Sequence, residues 1–294
     1  MNTMITTPTY LYGTTGLPSV NDGYLFHYTK FENFLKIIET MTLRSSALSK
    51  MNDLNEASME FVDPNKDSRF IYQAKQYIKN NCSIICFTRN YMNGEICEEG
   101  SNHPAMWAHY AEDSNGVCIV FDEVSLINNN KMLLADVFYK IKDVEYCHLC
   151  SPDSRILKGE YSDLSDFLRK NYAELFFKKH VDWSYEKETR LLIEQPEVFL
   201  NIKGAIRYII LGGRLKNDEE KVRKIIDLMI SPESNAHKYL DPHSFEQVLR
   251  SPYGYFVATA SHIIYNQLTR MSRTSSLAKS YLDWFNCKKQ SGIE

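Results

Sequence analysis

Apolar and polar residues alternate along the chain with two periods, which predict a succession of short strands and helices. A period of two, or a short run of β-branched and aromatic residues, predicts strands at residues 24–28, 43–45, 83–88, 117–121, 137–146, 189–193 and 206–211. Apolar residues at helical spacing predict helices at residues 32–40, 67–80, 104–110, 163–180 and 217–230. Thr29 is the predicted N-cap of the first helix, because its hydroxyl can accept a backbone N–H. This mixture predicts the α+β fold class.

Changes in composition divide the chain into three segments. Residues 1–23 are rich in Thr, Gly, Pro and Asn and predict an N-terminal lead-in. Residues 24–232 carry the mixed pattern and predict the α+β domain. After Pro232 the spacing becomes helical in two stretches, at 255–271 and 275–287, so residues 233–294 predict a helical C-terminal extension packed on that domain. Its helices could also join copies of the chain into a homo-oligomer.

Charge and hydropathy restrict the kinds of partner and compartment. Lys and Arg number 34 and Asp and Glu 37, so the net charge of −3 disfavours a basic nucleic-acid clamp over the whole surface. The first residues are polar, and no apolar run approaches the length that spans a bilayer. With an odd number of cysteines, 7, these features predict a cytoplasmic protein with reduced thiols and no membrane partner.

Several common catalytic motifs do not occur in the sequence. It has no G-x-G-x-x-G, G-x-x-x-x-G-K-[ST], H-E-x-x-H or G-x-S-x-G segment, which disfavours dehydrogenases, P-loop NTPases, zincins and α/β-hydrolases. The pair Cys82 and Cys86 and the segment Cys147-His148-Leu149-Cys150 do not match zinc-finger spacings. We therefore predict no metal site, although the cysteine and histidine inventory leaves zinc open.

One polar segment combines two carboxylates with a buried strand. Residues 183–190 read Trp-Ser-Tyr-Glu-Lys-Glu-Thr-Arg and lead into the strand predicted at 189–193. Because strand side chains alternate, Glu186 and Glu188 are predicted to share one face. Paired carboxylates can divide labour: one stays ionised and stabilises positive charge, while the other accepts a proton. The alternative is a solvent-exposed acid pair neutralised by Lys187 and Arg190.

A second group of candidates lies nearer the N-terminus. His27 stands between aromatic residues in the first predicted strand, and Thr29 follows closely. An imidazole beside a hydroxyl can bond a sugar diol, although a core histidine bonded to backbone is as common. Tyr110, at the end of an aromatic helix, is a candidate ring for stacking on a ligand.

The order of several short motifs resembles the bacterial family of unknown function DUF2971. The motifs are Phe26-His27-Tyr28-Thr29, Leu43-Arg44-Ser45-Ser46, Met51-Asn52-Asp53 through Glu56, Cys86-Phe87-Thr88, Met106-Trp107-Ala108-His109-Tyr110, Gly116-Val117-Cys118-Ile119-Val120-Phe121, Val144-Glu145-Tyr146, Trp183 to Arg190 and Ile209-Ile210-Leu211-Gly212. The resemblance runs from about Tyr24 to Arg214. The family label by itself implies no activity.

A weaker resemblance concerns the layout of candidate residues. An early-strand histidine, aromatics in the middle and a late-strand glutamate are similar to the His-Tyr-Glu layout of ADP-ribosyltransferases, including the DarT-like branch. This resemblance implies a split mixed and antiparallel sheet core with flanking helices and no Gly-rich fingerprint. It also implies NAD as substrate and a macromolecular acceptor, protein or nucleic acid, for a bacterial toxin or anti-phage effector.

The same resemblance assigns roles to individual residues. Glu188 would bond the nicotinamide ribose 2′-hydroxyl and favour an oxocarbenium-like transition state. Glu186 would orient or deprotonate the acceptor. His27 would contact the adenosine ribose and is also given a catalytic role. Arg44 would lie near the pyrophosphate, and Tyr110 or Tyr91 would stack on the nicotinamide ring. The remaining predicted contacts to NAD are Tyr28, Thr29 and Arg190.

Two other functions stay open at this point. The chain could be a non-enzymatic sensor of a defence system, binding a nucleotide or a protein through its aromatic residues. It could also be a metal-dependent nuclease. Such a nuclease is expected to have an acidic strand residue followed two positions later by Glu-x-Lys, and the segment Tyr185-Glu186-Lys187 lacks that first acid.

Overall fold

The computed structural model describes residues 23–48, 61–93, 96–98, 100–148, 157, 159–240, 244–251, 254–259 and 261–290. The predicted lead-in up to residue 22, the motif at 51–56 and Cys150 lie outside these ranges. Among the described residues, no helix has both the length and the apolar character needed to cross a bilayer.

The described residues form short strands and helices in close alternation. The strands are β1 Tyr24–Thr29, β2 Thr42–Arg44, β3 Ser46–Ala47, β4 Ser83–Thr88, β5 Tyr91–Asn93, β6 Ile96–Glu98, β7 Val117–Asp122, β8 Tyr139–Asp143, β9 Glu145–Cys147, β10 Lys178–His180, β11 Glu188–Ile193, β12 Phe199–Asn201, β13 Ile206–Leu211, β14 Phe245–Ser251 and β15 Gly254–Thr259. The α-helices are α1 Phe31–Thr40, α2 Ser68–Asn81, α3 Pro104–His109, α4 Glu123–Asn129, α5 Lys131–Ala135, α6 Leu164–Phe176, α7 Glu219–Ile230, α8 Asn235–Tyr239, α9 Ser261–Met271 and α10 Ser276–Gln290.

The chain folds into two compact units, each assembled from separate stretches of sequence. The described residues of the first unit fall within 1–41, 90–125 and 202–294, and those of the second fall within 42–89 and 126–201. Both units contain mixed or antiparallel sheet and flanking helices, so the α+β prediction is confirmed at this coarse level.

The first unit is built on β7. This strand pairs antiparallel with β1 on one side and with β13 on the other, and β13 pairs parallel with β14, which forms an antiparallel hairpin with β15. Residues Val117–Phe121 are all buried, because both edges of β7 are paired and both faces are covered. An apolar cluster around Trp107 packs against β1 and β7.

The second unit is built on β11. This strand lies between β4 and β8, antiparallel to both, and β3 pairs with the far edge of β4. Every residue of β11 is buried. Two small ladders, parallel β9–β10 and antiparallel β2–β12, complete the strand pairing of this unit. Helices α2 and α6 supply apolar side chains to its core, among them Ile78, Phe167 and Phe176.

The C-terminal segment departs from the predicted all-helical extension. Residues 255–271 were expected to be one helix, but residues 254–259 form β15 and only Ser261–Met271 is helical. The first residues of this stretch, Tyr255 to Thr259, are rich in aromatic and β-branched types that favour strands. Pairing with β14, which itself extends the sheet from β13, therefore overrides the helical spacing. The last predicted helix is confirmed as α10.

Two boundaries in the second unit also differ from the prediction. The helix predicted at 163–180 ends at Phe176, because Lys178–His180 pairs with β9 as strand β10. The single strand predicted at 137–146 is divided at Val144 into β8 and β9. The division arises because β8 pairs with β11 and β9 pairs with β10.

The start of α1 is capped by a residue distant in sequence. Thr29, the predicted N-cap, is the last residue of β1 and is buried. Lys30 occupies the N-cap position and makes no side-chain capping bond. Instead, the backbone N–H of Phe31 donates to Glu112 Oε2 at 3.4 Å. The N-cap prediction for Thr29 was therefore wrong, because strand β1 continues through that residue.

Gly116, just before β7, is held in a very close backbone contact. A Cβ atom at this position would lie 2.3 Å from the carbonyl oxygen of Thr29 and 2.9 Å from backbone atoms of Ala111. The same backbone donates its N–H to the Ala111 carbonyl at 2.8 Å. Glycine is therefore required here by close approach, because neither neighbour is a flexible side chain that could move away.

We expect Gly116→Ala to lower the free energy of unfolding by about 3 kcal/mol, since backbone must shift to accept the methyl group. Gly204→Ala is the matched control: Gly204 has φ +72° and no atom within 4 Å of its would-be Cβ. Only backbone strain, roughly 1–2 kcal/mol, opposes that substitution. Urea denaturation of the full chain measures both, and an equal loss in the two variants would contradict the close-contact explanation.

Candidate functional site

Four charged side chains are buried together in the second unit. Lys179, Glu186 and Glu188 are each 3% exposed and Arg190 is 2% exposed. Charged residues are almost never buried to this extent unless they are paired, because a lone charge in a protein interior loses its hydration. We call these four residues the buried charge cluster.

The members of the buried charge cluster form a continuous network of ion pairs. Lys179 Nζ lies 2.5 Å from Glu186 Oε2 and 3.2 Å from Glu188 Oε2. Arg190 binds Glu188 through two bonds, from Nε to Oε1 at 2.7 Å and from Nη2 to Oε2 at 2.8 Å. A further bond from Arg190 Nη1 reaches the Phe176 carbonyl at 2.6 Å. With two cations and two anions, the network carries no net charge.

Three neighbouring elements place these side chains. Lys179 is the middle residue of β10, and Glu186 ends a 3-10 helix over Val181–Glu186. Lys187 then adopts a left-handed conformation with φ 46°, and β11 starts at Glu188. Glu188 and Arg190 are two residues apart on β11 and so lie on one face of the strand.

The geometry corrects two sequence expectations about the acid pair. Glu186 does not share a strand face with Glu188, because it belongs to the 3-10 helix; the two carboxylates meet through Lys179. Nor is the pair solvent-exposed, as the alternative interpretation expected. It is buried, and its ion-pair partners are Lys179 and Arg190.

Glu188 is kept ionised by its partners. Burial alone would raise the pKa of this carboxyl, but the charge and hydrogen bonds of Arg190 and the charge of Lys179 outweigh it and lower the pKa to about 2. Cys86, opposite Arg190 on β4, also hydrogen-bonds the carboxylate. Burial and the Glu188 charge raise the pKa of the Cys86 thiol well above its usual value, so this thiol is not a nucleophile at neutral pH.

Tyr146 completes the surroundings of Glu188. It is the middle residue of β9 and lies opposite Lys179 in the β9–β10 ladder. Its hydroxyl oxygen accepts the backbone N–H of Glu188 at 2.8 Å. Burial is the largest cause that raises the pKa of Tyr146, and the nearby charges of Glu188 and Glu186 raise it further. The phenol therefore keeps its proton at neutral pH.

Arg44, predicted near a pyrophosphate, lies elsewhere in the second unit. It ends β2, and its Nε pairs with Glu197 Oε1 at 2.6 Å. About half of its side chain is exposed, at 54%. Arg44 is therefore a surface cation with one acidic partner and is not a member of the buried charge cluster.

The predicted residues His27, Tyr28 and Thr29 lie on β1 in the first unit. His27 is half-buried and pairs in register with Ile119. Tyr28 is buried and donates its hydroxyl hydrogen to the Gly100 carbonyl at 2.8 Å. Burial raises the pKa of this phenol well above its usual value. A ligand contact by Tyr28 would require its ring or hydroxyl to leave the core.

The aromatic candidate Tyr110 also belongs to the first unit. It follows α3 and packs, half-buried, against the cluster that contains Tyr28 and Trp107. Those two rings meet edge-to-face at 5.1 Å between centroids. Tyr91, the other candidate, starts β5 in the same unit. The predicted residues thus form two groups: Glu186, Glu188 and Arg190 converge in the second unit, and those on β1 and Tyr110 lie in the first.

Sequence reasoning missed Lys179 and Tyr146. Lys179 fell inside the helix predicted at 163–180, where a lysine reads as a solvent-exposed residue. The available signal was the doublet Lys178-Lys179 before an acidic segment. Only alternation in a short strand buries Lys179 fully and leaves Lys178 half-buried. Tyr146 lay within a motif used for the family resemblance and carried no assigned role.

Within the ranges that the structure describes, no three or more His, Cys, Asp or Glu side chains converge in a way that could hold a metal ion. Cys82, Cys86, Cys118 and Cys147 carry thiols that are not joined in disulfides.

Comparison with known families gives one match. The family model described as "Protein of unknown function (DUF2971)" matches residues 106–191. The predicted resemblance to DUF2971 is therefore confirmed over this segment, which contains Tyr146 and all of the buried charge cluster. No curated protein and no solved structure matches the chain, so the resemblance to ADP-ribosyltransferases stays a prediction.

We expect Lys179→Met to lower the free energy of unfolding by about 3–5 kcal/mol, because it leaves two buried carboxylates short of a cation. Lys178→Met, one residue away on β10, is the matched control. Lys178 pairs with the partly exposed Glu174 at 2.8 Å, and loss of that pair costs about 0–1 kcal/mol. Chemical denaturation at pH 7 compares the two; similar losses would show that the buried charge cluster does not stabilise the fold.

The lowered pKa of Glu188 makes stability depend on pH in a defined direction. The folded pKa of about 2 lies below the unfolded value of about 4.3, so the stabilisation is complete above pH 4.3 and is lost as pH falls toward 2. We expect Glu188→Gln to flatten this acid limb of the unfolding free energy between about pH 5 and pH 2.5. Glu174→Gln, at a partly exposed position, is the control; an acid limb unchanged in Glu188→Gln contradicts the assignment.

Proposed function

We propose that the chain is an NAD-dependent ADP-ribosyltransferase that transfers ADP-ribose to a macromolecular acceptor. The observation that carries the proposal is the Glu188 carboxylate, which is buried, ionised and fixed by Arg190 and Lys179. A second carboxylate, Glu186, shares Lys179 with it. The proposal also rests on the similarity of the sequence layout to enzymes of that class.

A fixed carboxylate suits the first step of this reaction. When the bond between nicotinamide and ribose C1′ breaks, its electron pair leaves with nicotinamide and the ribose becomes positively charged. A carboxylate that is already ionised and already oriented stabilises that charge without rearranging during the reaction. In a site shielded from water the attraction is stronger than in solution. We assign this electrostatic role to Glu188.

The other members of the buried charge cluster would support the transfer step. Glu186, held at 2.5 Å by Lys179, is an acceptor of hydrogen bonds and would orient the incoming nucleophile toward C1′. Arg190 would act as a positioning residue, because it holds both oxygens of Glu188 and is itself fixed by the Phe176 carbonyl.

A second candidate function follows from how fully Glu188 is bonded. Its two oxygens accept two bonds from Arg190 and one from Lys179, and the Cys86 thiol is a further partner. A carboxylate has about four acceptor positions, so these bonds use its capacity within the protein. This favours a non-enzymatic binding module in which the buried charge cluster only stabilises the fold.

An assay of NAD cleavage separates the two functions. Purified full-length protein is incubated with NAD labelled in the adenylate part and with bacterial lysate, and nicotinamide release and label transfer are measured. We expect the wild type to release nicotinamide, and Glu188→Gln to reduce release about 100-fold or more, since a transition-state charge loses its partner. Glu186→Gln should reduce label transfer more than nicotinamide release.

Glu174→Gln is the matched control, because it removes an acid of the same unit that lies outside the buried charge cluster. Thermal melting of each variant confirms that it is folded at the assay temperature. Treatment of the labelled lysate with protease or nuclease then identifies the acceptor class. If the wild type neither releases nicotinamide nor gains thermal stability from NAD, the binding module replaces the transferase as the best-supported function.

A further inference from the structure

Tyr146 places a phenol directly beside the backbone of Glu188. The β9–β10 ladder, in which Tyr146 lies opposite Lys179, positions the Tyr146 backbone. The hydroxyl oxygen accepts the Glu188 N–H at 2.8 Å, and this bond positions the other end of the side chain. The hydroxyl is therefore held at the N-terminal end of β11, where the proposed transferase would meet the ribose.

The bond to Glu188 uses only the acceptor capacity of this hydroxyl. A tyrosine hydroxyl is also a donor of one hydrogen bond. Among the residues that the structure describes, no acceptor takes the hydrogen of Tyr146. The side chain is half-buried, so water does not surround it and part of it is accessible. The hydrogen of this hydroxyl is therefore available to solvent or to a bound group.

The charges around the phenol restrict the chemistry of that group. Glu188 on β11 and Glu186 on the 3-10 helix place negative charge near the phenol, and Lys179 on β10 opposes their effect. The buried charge cluster is neutral as a whole, so it offers no excess positive charge to hold a phosphate. The acceptor that fits is a neutral oxygen, such as a sugar hydroxyl.

We propose that the Tyr146 hydroxyl donates a hydrogen bond to a ribose hydroxyl oxygen of the substrate bound beside Glu188. This inference rests on the proposed function, because the ribose in question is the one that becomes positively charged. In this role Tyr146 holds the sugar so that Glu188 faces C1′, and the proton stays on the phenol throughout. No bond to Tyr146 forms or breaks.

The first test is removal of the hydroxyl. Tyr146→Phe keeps the ring and is expected to lower kcat/KM for NAD about tenfold, the effect of one lost hydrogen bond in a shielded site. Tyr172→Phe is the matched control, because Tyr172 is also half-buried in the second unit and packs against Phe138 and Phe177. We expect that variant to keep wild-type kcat/KM.

The second test separates donation to the substrate from acceptance of the Glu188 N–H. A fluorinated tyrosine incorporated at position 146 keeps the ring and the acceptor oxygen but has a more acidic phenol. If the phenol donates to the substrate, kcat/KM at pH 7 rises, because a more acidic phenol is a stronger hydrogen-bond donor. If it only accepts the N–H, kcat/KM does not rise, because the less basic oxygen is a weaker acceptor. Lys179, Glu186 and Glu188 are unchanged in this comparison, and the same amino acid at position 172 is the control.

The outcomes distinguish this inference from the proposed function. A tenfold loss in Tyr146→Phe together with a higher kcat/KM of the fluorinated protein supports the assignment. Wild-type kcat/KM in Tyr146→Phe, or no rise in the fluorinated protein, overturns it and leaves the transferase standing. A wild-type protein that neither binds nor cleaves NAD overturns the transferase and the role of Tyr146 together.

Discussion

The ammonium group of Lys179 is the interaction on which the second unit depends. It joins a carboxylate at the end of a 3-10 helix to a carboxylate at the start of β11, and all three groups are buried. Removing such charges from water costs several kcal/mol each, and only close pairing offsets that cost. The local chain must therefore bring the Glu186 and Glu188 carboxylates to one point, whatever the preferences of the individual residues.

Several backbone features follow from this constraint. The left-handed conformation of Lys187 turns the chain between the two glutamates. Arg190 balances the second negative charge and binds the carbonyl of Phe176, the last residue of α6, where the helix dipole favours a cation. The hydroxyl of Tyr146 accepts the N–H of Glu188. The C-terminal end of α6, the turn at Lys187 and the strands β9, β10 and β11 are thus connected through one network that carries no net charge.

The same network has two consequences for function that oppose each other. Pairing fixes the Glu188 carboxylate and keeps it ionised, which is the preorganisation that stabilises a developing positive charge. Pairing also uses most of the acceptor capacity of that carboxylate, so its effect on a substrate would be mainly electrostatic. In the proposed transferase, the Tyr146 hydroxyl, with its donor capacity unused among the described residues, would supply the direct bond that Glu188 is less able to offer.

The sequence by itself determined the elements with strong periodicity, including β4, β7, β13 and the long helix α2, and it singled out Glu186, Glu188 and Arg190. These follow from local pattern, because alternation and apolar runs report burial along one element. Tertiary structure decided the rest. Pairing with β9 made Lys178–His180 a strand and buried Lys179, and pairing with β14 made residues 254–259 a strand. The β9–β10 partners lie about thirty residues apart, and the β14–β15 hairpin is anchored by pairing of β14 with the distant β13. No local pattern reports such partners or which charge a buried carboxylate will meet.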